Sequence, residues 1–276
     1  MLIGGQSLEM IGINTSRGDD LRIGVIGLGS VGLAAYSTLK NHFEVFGYDI
    51  DGRGNWNEII DCDAVVVCVS TNGAENGLLD MSNIDSVAHK LENSSFTGLM
   101  IVKSTLQPRT MDNISQKFPN LKVSYVPEFL REKDAEDWFR NPDRIVYSCD
   151  SIDEPILLEC FKWVDQNVPR IKMSHMEAEF GKLAHNCFIA TKVTFTCEIE
   201  RICNLNSIDA NKVMEVVWRD RRVMNPAHLT PYLGGFGGKC VPKDTLALSL
   251  EDPDKASILH KLHERGELES VKNRLD

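Results

Sequence analysis

The sequence predicts an α/β fold: a Rossmann-like, doubly wound parallel sheet followed by a long central helix and a small helical domain. Short apolar runs alternate with segments of helical spacing up to about residue 172, which is typical of a parallel sheet with right-handed crossovers. The first run leads directly into a glycine-rich turn, and from Ser174 helical spacing continues to about Asn204. We therefore expect an N-terminal extension over 1–20, a Rossmann-like domain over 21–172 and a helical domain over 173–276.

The glycine-rich turn has the spacing of a dinucleotide-binding motif. It follows an apolar strand over 21–27 and reads Gly-Leu-Gly-Ser-Val-Gly over 27–32, so that the backbone and the next helix N-terminus can approach a pyrophosphate. Asp49 ends the next strand, twenty residues after Gly29, where a carboxylate can bind the adenosine ribose and disfavours the extra phosphate of NADP. An ordinary βαβ turn is the alternative, which this context disfavours. The predicted NAD site comprises Gly27, Gly29, Ser30, Val31, Gly32 and Asp49, with Arg53 close by.

Four further apolar runs predict four more strands, at 63–69, 99–105, 122–126 and 143–147. In sheets of this kind, ligands bind beside the carboxyl ends of the strands. Thr71, Thr105 and Glu128 lie just past three of those ends. Their positions alone make them candidate site residues.

The long helix should begin at a capping box formed by Ser174 and Glu177. A dimerisation or scaffold role is the simplest explanation of its length. Lys182 and Asn186 are four residues apart and therefore share one helical face, among apolar neighbours that should be packed. A solvated lysine beside an incidental asparagine fits the spacing equally well, so the spacing alone leaves both interpretations open.

Cys240 lies in a loop that reads Gly-Gly-Phe-Gly-Gly-Lys-Cys-Val-Pro-Lys-Asp over residues 234–244. A nucleophilic thiol needs access, positive surroundings and a group that handles water or protons. The glycines provide access, Lys239 and Lys243 provide positive charge, and Asp244 provides a carboxylate. A free cysteine is more often a small buried apolar residue, but this loop favours a nucleophile.

Composition argues against several classes of protein. The net charge of -10 disfavours nucleic acid as the main partner, because no basic stripe offsets it. Eight cysteines occur without metal-ligand spacing, which predicts no metal site and a reducing compartment. Neither a secretory signal nor an apolar run of membrane-spanning length is visible. We expect a cytoplasmic protein that binds neither membrane nor nucleic acid.

Taken in order, these motifs resemble those of the UDP-glucose/GDP-mannose 6-dehydrogenase family. The resemblance runs from about residue 21 to about residue 250, and its most specific pieces are the cysteine loop and Pro-Glu-Phe-Leu-Arg-Glu over 127–132. Members of this family are NAD-dependent enzymes that oxidise the C6 alcohol of a nucleotide sugar to the uronic acid. The resemblance implies NAD as cofactor and a UDP-glucose-like substrate, as in polysaccharide biosynthesis. Other matching pieces are the glycine motif with Asp49, residues 68–71, residues 103–105, Lys182 with Asn186, and residues 220–222.

The resemblance also implies catalytic roles. Cys240 would capture the aldehyde made by a first hydride transfer as a thiohemiacetal. A second transfer would give a thioester, which water releases as the acid, so that two NAD are reduced per sugar. Lys182 and Asn186 would stabilise oxyanions at the C6 oxygen. Asp244 with Thr71 would position or activate water, Glu132 would be the acid/base of thioester hydrolysis, and Glu128 would be a supporting carboxylate.

Binding roles are implied as well. Thr71, Thr105, Glu132 and Lys243 would join the glycine motif in holding NAD. Arg222 would reach the substrate across a homodimer interface built by the long helix. The implied substrate-binding set is Glu128, Phe129, Leu130, Arg131, Lys182, Asn186, Arg222, Tyr232 and Gly237.

The chain departs from the family after the cysteine loop. Family members carry a further α/β domain that grips the nucleotide, whereas about thirty residues follow Asp244 here, so we expect a short form without that domain. Three interpretations stay open: a compact enzyme active alone, one half of a split enzyme with a separate nucleotide-binding chain, or a non-catalytic NAD-binding protein. A single-step hydroxyacid-type dehydrogenase is a further alternative, which the Cys240 loop disfavours.

Overall fold

The first part of the chain forms a mostly parallel sheet, in a computed structural model that describes residues 21–224, 227–233, 235–237, 240–251 and 258–272. The expected extension over 1–20 lies outside these ranges. The strands are β1 (Arg22–Ile26), β2 (Glu44–Tyr48), β3 (Ala64–Val67), β4 (Leu99–Val102), β5 (Lys122–Tyr125), β6 (Ile145–Cys149) and β7 (Arg170–Lys172). Their order is β2-β1-β3-β4-β5-β6-β7, and neighbouring strands are parallel except for β5 with β6. The predicted α/β fold class is confirmed.

Helices connect the strands and form most of the remaining described chain. They are α1 (Ser30–Leu39), α2 (Trp56–Ile60), α3 (Ser82–Asn93), α4 (Thr110–Lys117), α5 (Ala135–Arg140), α6 (Glu154–Glu159), α7 (His175–Leu205), α8 (Ala210–Trp218), α9 (Val241–Ser249) and α10 (Ile258–Lys272). None of these helices combines the length and the apolar character that crossing a membrane requires.

The sheet is buried on both faces, which is why its central strands read as continuous apolar runs. Ala64 and Val66 of β3 join a cluster on one face that includes residues of α1, α5 and α6. Val65 and Val67 point to the other face and join residues of α2, α3 and α4. All four side chains are at most 3% exposed, and burying each valine contributes roughly 1.5–3 kcal/mol.

Helix α7 begins with the predicted capping box. The Glu177 amide donates to Ser174 Oγ at 3.3 Å, and the Glu177 carboxylate accepts from the Ser174 amide at 2.8 Å. These bonds satisfy amides that would otherwise lack partners at a helix N-terminus, and the helix then continues for 31 residues.

The chain forms two compact units. The first comprises residues up to 71 together with 81–179, and the second comprises 72–80 together with residues from 180 onward. Residues 72–80 follow β3 in the chain but pack within the second unit, where Gly77 lies against Leu246 and Leu250 of α9. The first unit contains the sheet, and the second contains most of α7 together with α8, α9 and α10.

Several strands differ from the sequence-based expectation: β3 ends at Val67 and β4 at Val102, two and three residues earlier than predicted. β7 is not predicted, because Arg170 and Lys172 flank a single isoleucine and leave no apolar run. β6 begins two residues later than predicted, at Ile145, and extends to Cys149, where Ser148 and Cys149 pair with Tyr125 and Ser124 of β5.

Candidate active site

Two of the three motif glycines lie where a side chain would clash with the backbone, and the third faces open space. Gly27 has a φ of +88°, and a Cβ there would lie 2.8 Å from the Cys68 carbonyl oxygen. A Cβ on Gly32 would lie 1.7 Å from the Gly27 carbonyl oxygen, so α1 packs closely on the preceding turn. A Cβ on Gly29 would meet nothing within 4 Å. Gly29 thus faces the open side of the turn, where a pyrophosphate approaches in sites of this kind.

Ser30 and Val31 form the start of α1, directly after Gly29 at the N-cap. The first turn contains no acidic residue, so the positive end of the helix dipole faces the same open side without a competing carboxylate. The turn therefore fits the diphosphate of a dinucleotide.

Asp49 lies at the end of β2 and is tied to the glycine turn. Its Oδ2 accepts a hydrogen bond from the Leu28 amide at 2.6 Å, and Arg53 Nη1 donates to the Leu28 carbonyl at 3.0 Å. Arg53 also pairs with Asp51 at 2.7 Å, and this hydrogen bond lowers the pKa of Asp51. Asp49 and Arg53 thus brace the turn and place a carboxylate and a guanidinium at its edge.

Two of the predicted strand-end residues contact each other. Thr71 is buried, and its Oγ1 donates to the Thr105 carbonyl at 2.7 Å. Ser104 makes a second link, from its Oγ to the Val69 carbonyl at 2.6 Å. These bonds hold the segments after β3 and β4 side by side at the carboxyl edge of the sheet.

Glu128 is fully engaged in organising the segment that follows β5. Its Oε1 accepts from the amides of Phe129 and Leu130 at 2.9 and 3.2 Å, and its Oε2 pairs with Lys103 Nζ at 3.1 Å. Lys103 is buried and also donates to the Val126 carbonyl at 3.3 Å. Glu128 therefore shapes the backbone of 129–130 while its charge is neutralised by a buried lysine.

The next predicted residues are nearer the surface. The Arg144 guanidinium lies 4.1 Å from the centre of the Phe129 ring, and Arg131 pairs with Asp134 at 3.2 Å. Glu132 begins a 3₁₀ turn over Glu132–Asp134, and its side chain lies outside the description.

In the second unit, Asn186 of α7 and Asp244 of α9 form a buried pair. Asn186 Nδ2 donates to Asp244 Oδ2 at 2.5 Å, and Lys243 Nζ lies 2.7 Å from Asp244 Oδ1. Asp244 is fully buried, and Asn186 and Lys182 are 5% and 7% exposed. The structure thus brings together Asn186, Asp244 and Lys243, and it places Lys182 one turn before Asn186 on the buried side of α7. In this arrangement the carboxylate orients the amide and the lysine.

Cys240 is exposed and immediately precedes the first turn of α9. The other seven cysteines are buried or half-buried. Burial raises the pKa of Cys68 and Cys160 to about 12 and that of Cys187 to about 11, which suppresses the reactive thiolate. Cys240 therefore has the access that the other thiols lack, and a helix N-terminus favours negative charge. Lys239, its predicted positive neighbour, lies outside the described residues, as do Gly234 and Gly238.

The remaining predicted substrate residues are engaged locally. Arg222 is 89% exposed along its side chain and pairs with Asp220 at 2.6 Å. The Tyr232 amide donates to the Glu200 carboxylate, and its hydroxyl accepts from the Ala210 amide at 3.4 Å. A Cβ built on Gly237 would have no atom of the described residues within 4 Å. Their binding roles stay predictions.

Two further buried charged residues, Lys103 and Glu179, have no predicted role. Lys103 directly follows the apolar strand β4. A lysine at the end of a buried strand is the sequence signal that could have indicated a buried charge. Glu179 is buried, and its carboxylate accepts from the Arg109 and Met111 amides at 2.7 and 2.8 Å. It lies four residues before the buried Leu183 on α7, so helical spacing places an acid on the packed face.

Two sequence profiles of one family match the chain. The NAD binding domain of the UDP-glucose/GDP-mannose dehydrogenase family matches residues 53–159, and the central domain of that family matches residues 176–263. Together they cover more than two thirds of the chain.

Individual relatives agree with these profiles. UDP-glucose 6-dehydrogenase AglM of Haloferax volcanii is 32% identical over 212 residues, which cover 70% of this chain and 49% of the relative. A GDP-mannose 6-dehydrogenase of Pseudomonas aeruginosa is 30% identical, covering 69% of this chain and 47% of the relative. The structure of a UDP-glucose dehydrogenase from Pyrobaculum islandicum superposes with a TM-score of 0.78 at 27% identity, covering 91% of this chain and 68% of that one. The chain spans about half the length of the curated relatives it matches.

Proposed function

The chain belongs to the UDP-glucose/GDP-mannose dehydrogenase family, and from this we propose that it oxidises the C6 alcohol of a nucleotide sugar to the uronic acid with NAD. Residues 21–172 would bind NAD, and residues 173–276 would carry the thiol chemistry. The observation that carries the proposal is the exposed Cys240 at the start of α9, four residues before the buried Asp244 that is bonded to Asn186.

The residues of the first unit fit NAD. Gly29 leaves the turn open, Gly27 and Gly32 permit its geometry, and Asp49 lies at its edge. Ser30 and Val31 present the helix N-terminus to the diphosphate. When bound, NAD supplies the acceptor for hydride. A carboxylate at the ribose position supports NAD over NADP.

Cys240 would connect two oxidations in one site. The first removes a hydride from C6 and a proton from its hydroxyl, which leaves an aldehyde. The Cys240 sulfur then bonds to C6, its proton departs and the carbonyl oxygen gains one, giving a thiohemiacetal. Removal of a second hydride from C6 and of the hydroxyl proton gives a thioester. Water adds to C6, the C–S bond breaks, and the acid and the free thiol result.

Lys182 and Asn186 would hold the C6 oxygen while negative charge develops on it. Their burial supports this, because a charge or dipole excluded from water acts more strongly on a nearby oxyanion. Asp244 would orient Asn186 and Lys243 through its two oxygens, and with Thr71 it would position or activate water. Lys243 would also contact NAD.

Glu128 would serve as a supporting carboxylate by shaping the backbone that presents Phe129, Leu130 and Arg131 to the sugar nucleotide. Glu132 would act as the acid/base of thioester hydrolysis. Thr71 and Thr105, which are hydrogen-bonded to each other, would complete the NAD site. Tyr232 and Gly237 would also contact the substrate.

A homodimer through α7 is proposed on the basis of an exposed apolar stripe. Phe188, Phe195 and Ile202 recur at seven-residue spacing and are between 46% and 64% exposed, which places three large apolar side chains on one helical face. Arg222 would reach the partner's substrate across that interface. The proposed enzyme is cytoplasmic.

The test is NADH formation by the purified chain with NAD and a panel of UDP- and GDP-sugars, beside the variants Cys240→Ala and Cys197→Ala. Two NADH per sugar are expected for the chain and for Cys197→Ala, with none above background for Cys240→Ala. One NADH per sugar that survives Cys240→Ala would contradict the thiol mechanism and indicate a single-step dehydrogenase. NAD binding without turnover would refute activity of the chain alone and direct the search to a separate nucleotide-binding chain or a non-catalytic role.

A further inference from the structure

Phe236 is buried against a glycine of the C-terminal helix. It lies four residues before Cys240 and is 5% exposed. A Cβ built on Gly266 of α10 would lie 2.0 Å from Cζ of the Phe236 ring and 2.3 Å from its Cε1. Carbon atoms in contact are normally 3.5–4.0 Å apart. The ring thus occupies space that any other residue at position 266 would fill.

The ring is enclosed by three helices of the second unit. Ala190 of α7 and Leu262 of α10 are buried with it, and Val193 of α7 and Val241 of α9 pack against this cluster. A planar ring enclosed on these sides cannot move aside without giving up several apolar contacts. We call these five residues together with Gly266 the Phe236 socket.

Two residues of the Phe236 socket lie on either side of Cys240 in the sequence. Phe236 precedes Cys240 by four residues, and Val241 follows it directly. Both side chains pack in the same cluster, whereas Gly237 between them has no Cβ and open space around it. Phe236 and Val241, on either side of Cys240 in the chain, are therefore both packed in one cluster with residues of α7 and α10.

We infer that Phe236, held on Gly266, is a positioning residue for Cys240, so that α10 contributes to the thiol site. This inference rests on the proposed function for its catalytic consequence. A nucleophile displaced by about 1 Å loses on the order of 100-fold in rate. On the C-terminal side, the Cys240 carbonyl is held by the Asp244 amide of α9 at 3.0 Å. On the N-terminal side, the described side-chain packing comes from Phe236, because Gly237 has no side chain and glycine restricts the backbone least of all residues.

The experiment compares Gly266→Ala with Gly181→Ala, a second helical glycine of the same unit whose Cβ would meet nothing within 4 Å. Alanine favours a helix over glycine, so propensity predicts stabilisation in both. We expect Gly266→Ala instead to expel the ring. Amide hydrogen exchange in the peptide covering 236–247 should become about tenfold faster, and kcat should fall about 100-fold with little change in KM. Gly181→Ala should match the parent chain in both measurements.

A rescue variant separates positioning from general damage. In Gly266→Ala combined with Phe236→Leu, the shorter side chain leaves room for the new methyl group, so exchange and kcat should return to within about threefold of Phe236→Leu alone. Unchanged exchange in Gly266→Ala, or a loss that Phe236→Leu does not relieve, would overturn the inference. Faster exchange in Gly266→Ala with rescue, in a chain that shows no turnover at all, would support the anchor and refute the proposed function instead.

Discussion

Glu179 is a buried acid whose surroundings make the stability of the fold depend on pH. Burial raises the pKa of its carboxyl group to about 7, against a value of 4.5 without the fold, although bonds from the Met111 and Arg109 amides oppose the shift. The folded state therefore binds more protons between these two values, and stability falls as pH rises from about 4.5 through 7. The only local signal for this acid is its helical spacing from Leu183, and the amides that bind it, at Arg109 and Met111, are distant in the chain.

We predict that Glu179→Gln removes this dependence. Between pH 5 and pH 8 the parent chain should lose on the order of 2 kcal/mol of unfolding free energy relative to the variant, measured by urea denaturation at each pH. Glu177→Gln is the matched control on the same helix turn, because the bonds from Ser174 lower the pKa of Glu177 and its contribution is lost only as the medium becomes acidic. Equal slopes for the parent and Glu179→Gln across this range would contradict the assignment.

Two motif glycines should separate NAD affinity from stability. Gly29→Ala adds a methyl group in open space, so the fold should be unchanged within about 0.5 kcal/mol. The methyl group would occupy the side that the diphosphate approaches, so Kd for NAD should rise at least about tenfold. Calorimetric titration with NAD measures the affinity, and denaturation measures the stability.

Gly32→Ala should behave in the opposite way, because its Cβ would lie 1.7 Å from a backbone carbonyl oxygen. We expect a destabilisation of several kcal/mol, since a backbone clash is relieved only by moving α1. Tight NAD binding by Gly29→Ala, or a stable Gly32→Ala, would refute the described geometry of the turn.

At the scale of elements, the Asn186–Asp244 hydrogen bond links α7 to α9. Asn186→Ala leaves a carboxylate oxygen of the fully buried Asp244 without its donor, which costs about 2–3 kcal/mol. Thr191→Ala on the same helix is the control, because its hydroxyl bonds only back to the Cys187 carbonyl in the described contacts. Chemical denaturation should show a clear loss for Asn186→Ala and a change within about 0.5 kcal/mol for the control. Comparable losses in the two variants would mean that the bond contributes little.

Much of the element structure follows from local pattern. The central strands are buried on both faces and therefore read as apolar runs, and Ser174 with Glu177 indicates the start of α7. β7 escapes prediction because its two charged residues carry no pattern of their own. The packing of residues 72–80 against α9 is not predictable from local pattern, because Gly77 contacts Leu246 and Leu250, which are far away in the sequence.

In the candidate site, too, local motifs are predictable from sequence and long-range contacts are not. Gly27, Gly32 and the Lys182–Asn186 spacing are visible as motifs, since each depends on neighbours within a few residues. The pairing of Asp244 with Asn186, of Glu128 with Lys103 and of Phe236 with Gly266 joins residues far apart in the chain, so it becomes visible only in the folded chain. Sequence therefore indicates which residues are candidates, and the fold shows which groups hold them.

At the scale of the whole molecule, the apolar stripe of α7 predicts self-association. Phe195→Asp would place a charge in the proposed interface, and burying an unpaired charge is costly. The variant should elute as a monomer in size-exclusion chromatography with light scattering at micromolar concentration, where the parent elutes as a dimer. Val216→Asp is the control, because Val216 is 76% exposed and lies on α8 rather than on the stripe of α7. A monomeric parent, or a Phe195→Asp dimer, would refute the interface.

A covalent bond between Cys240 and C6 of the sugar is the central step of the proposed mechanism. The most direct measurement is peptide mass spectrometry of the chain quenched with acid during turnover with NAD and the best sugar nucleotide. We predict a mass increase on the peptide that contains Cys240, dependent on both NAD and sugar and absent from Cys240→Ala. Turnover to the acid without any adduct on that peptide, and undiminished in Cys240→Ala, would contradict the central claim.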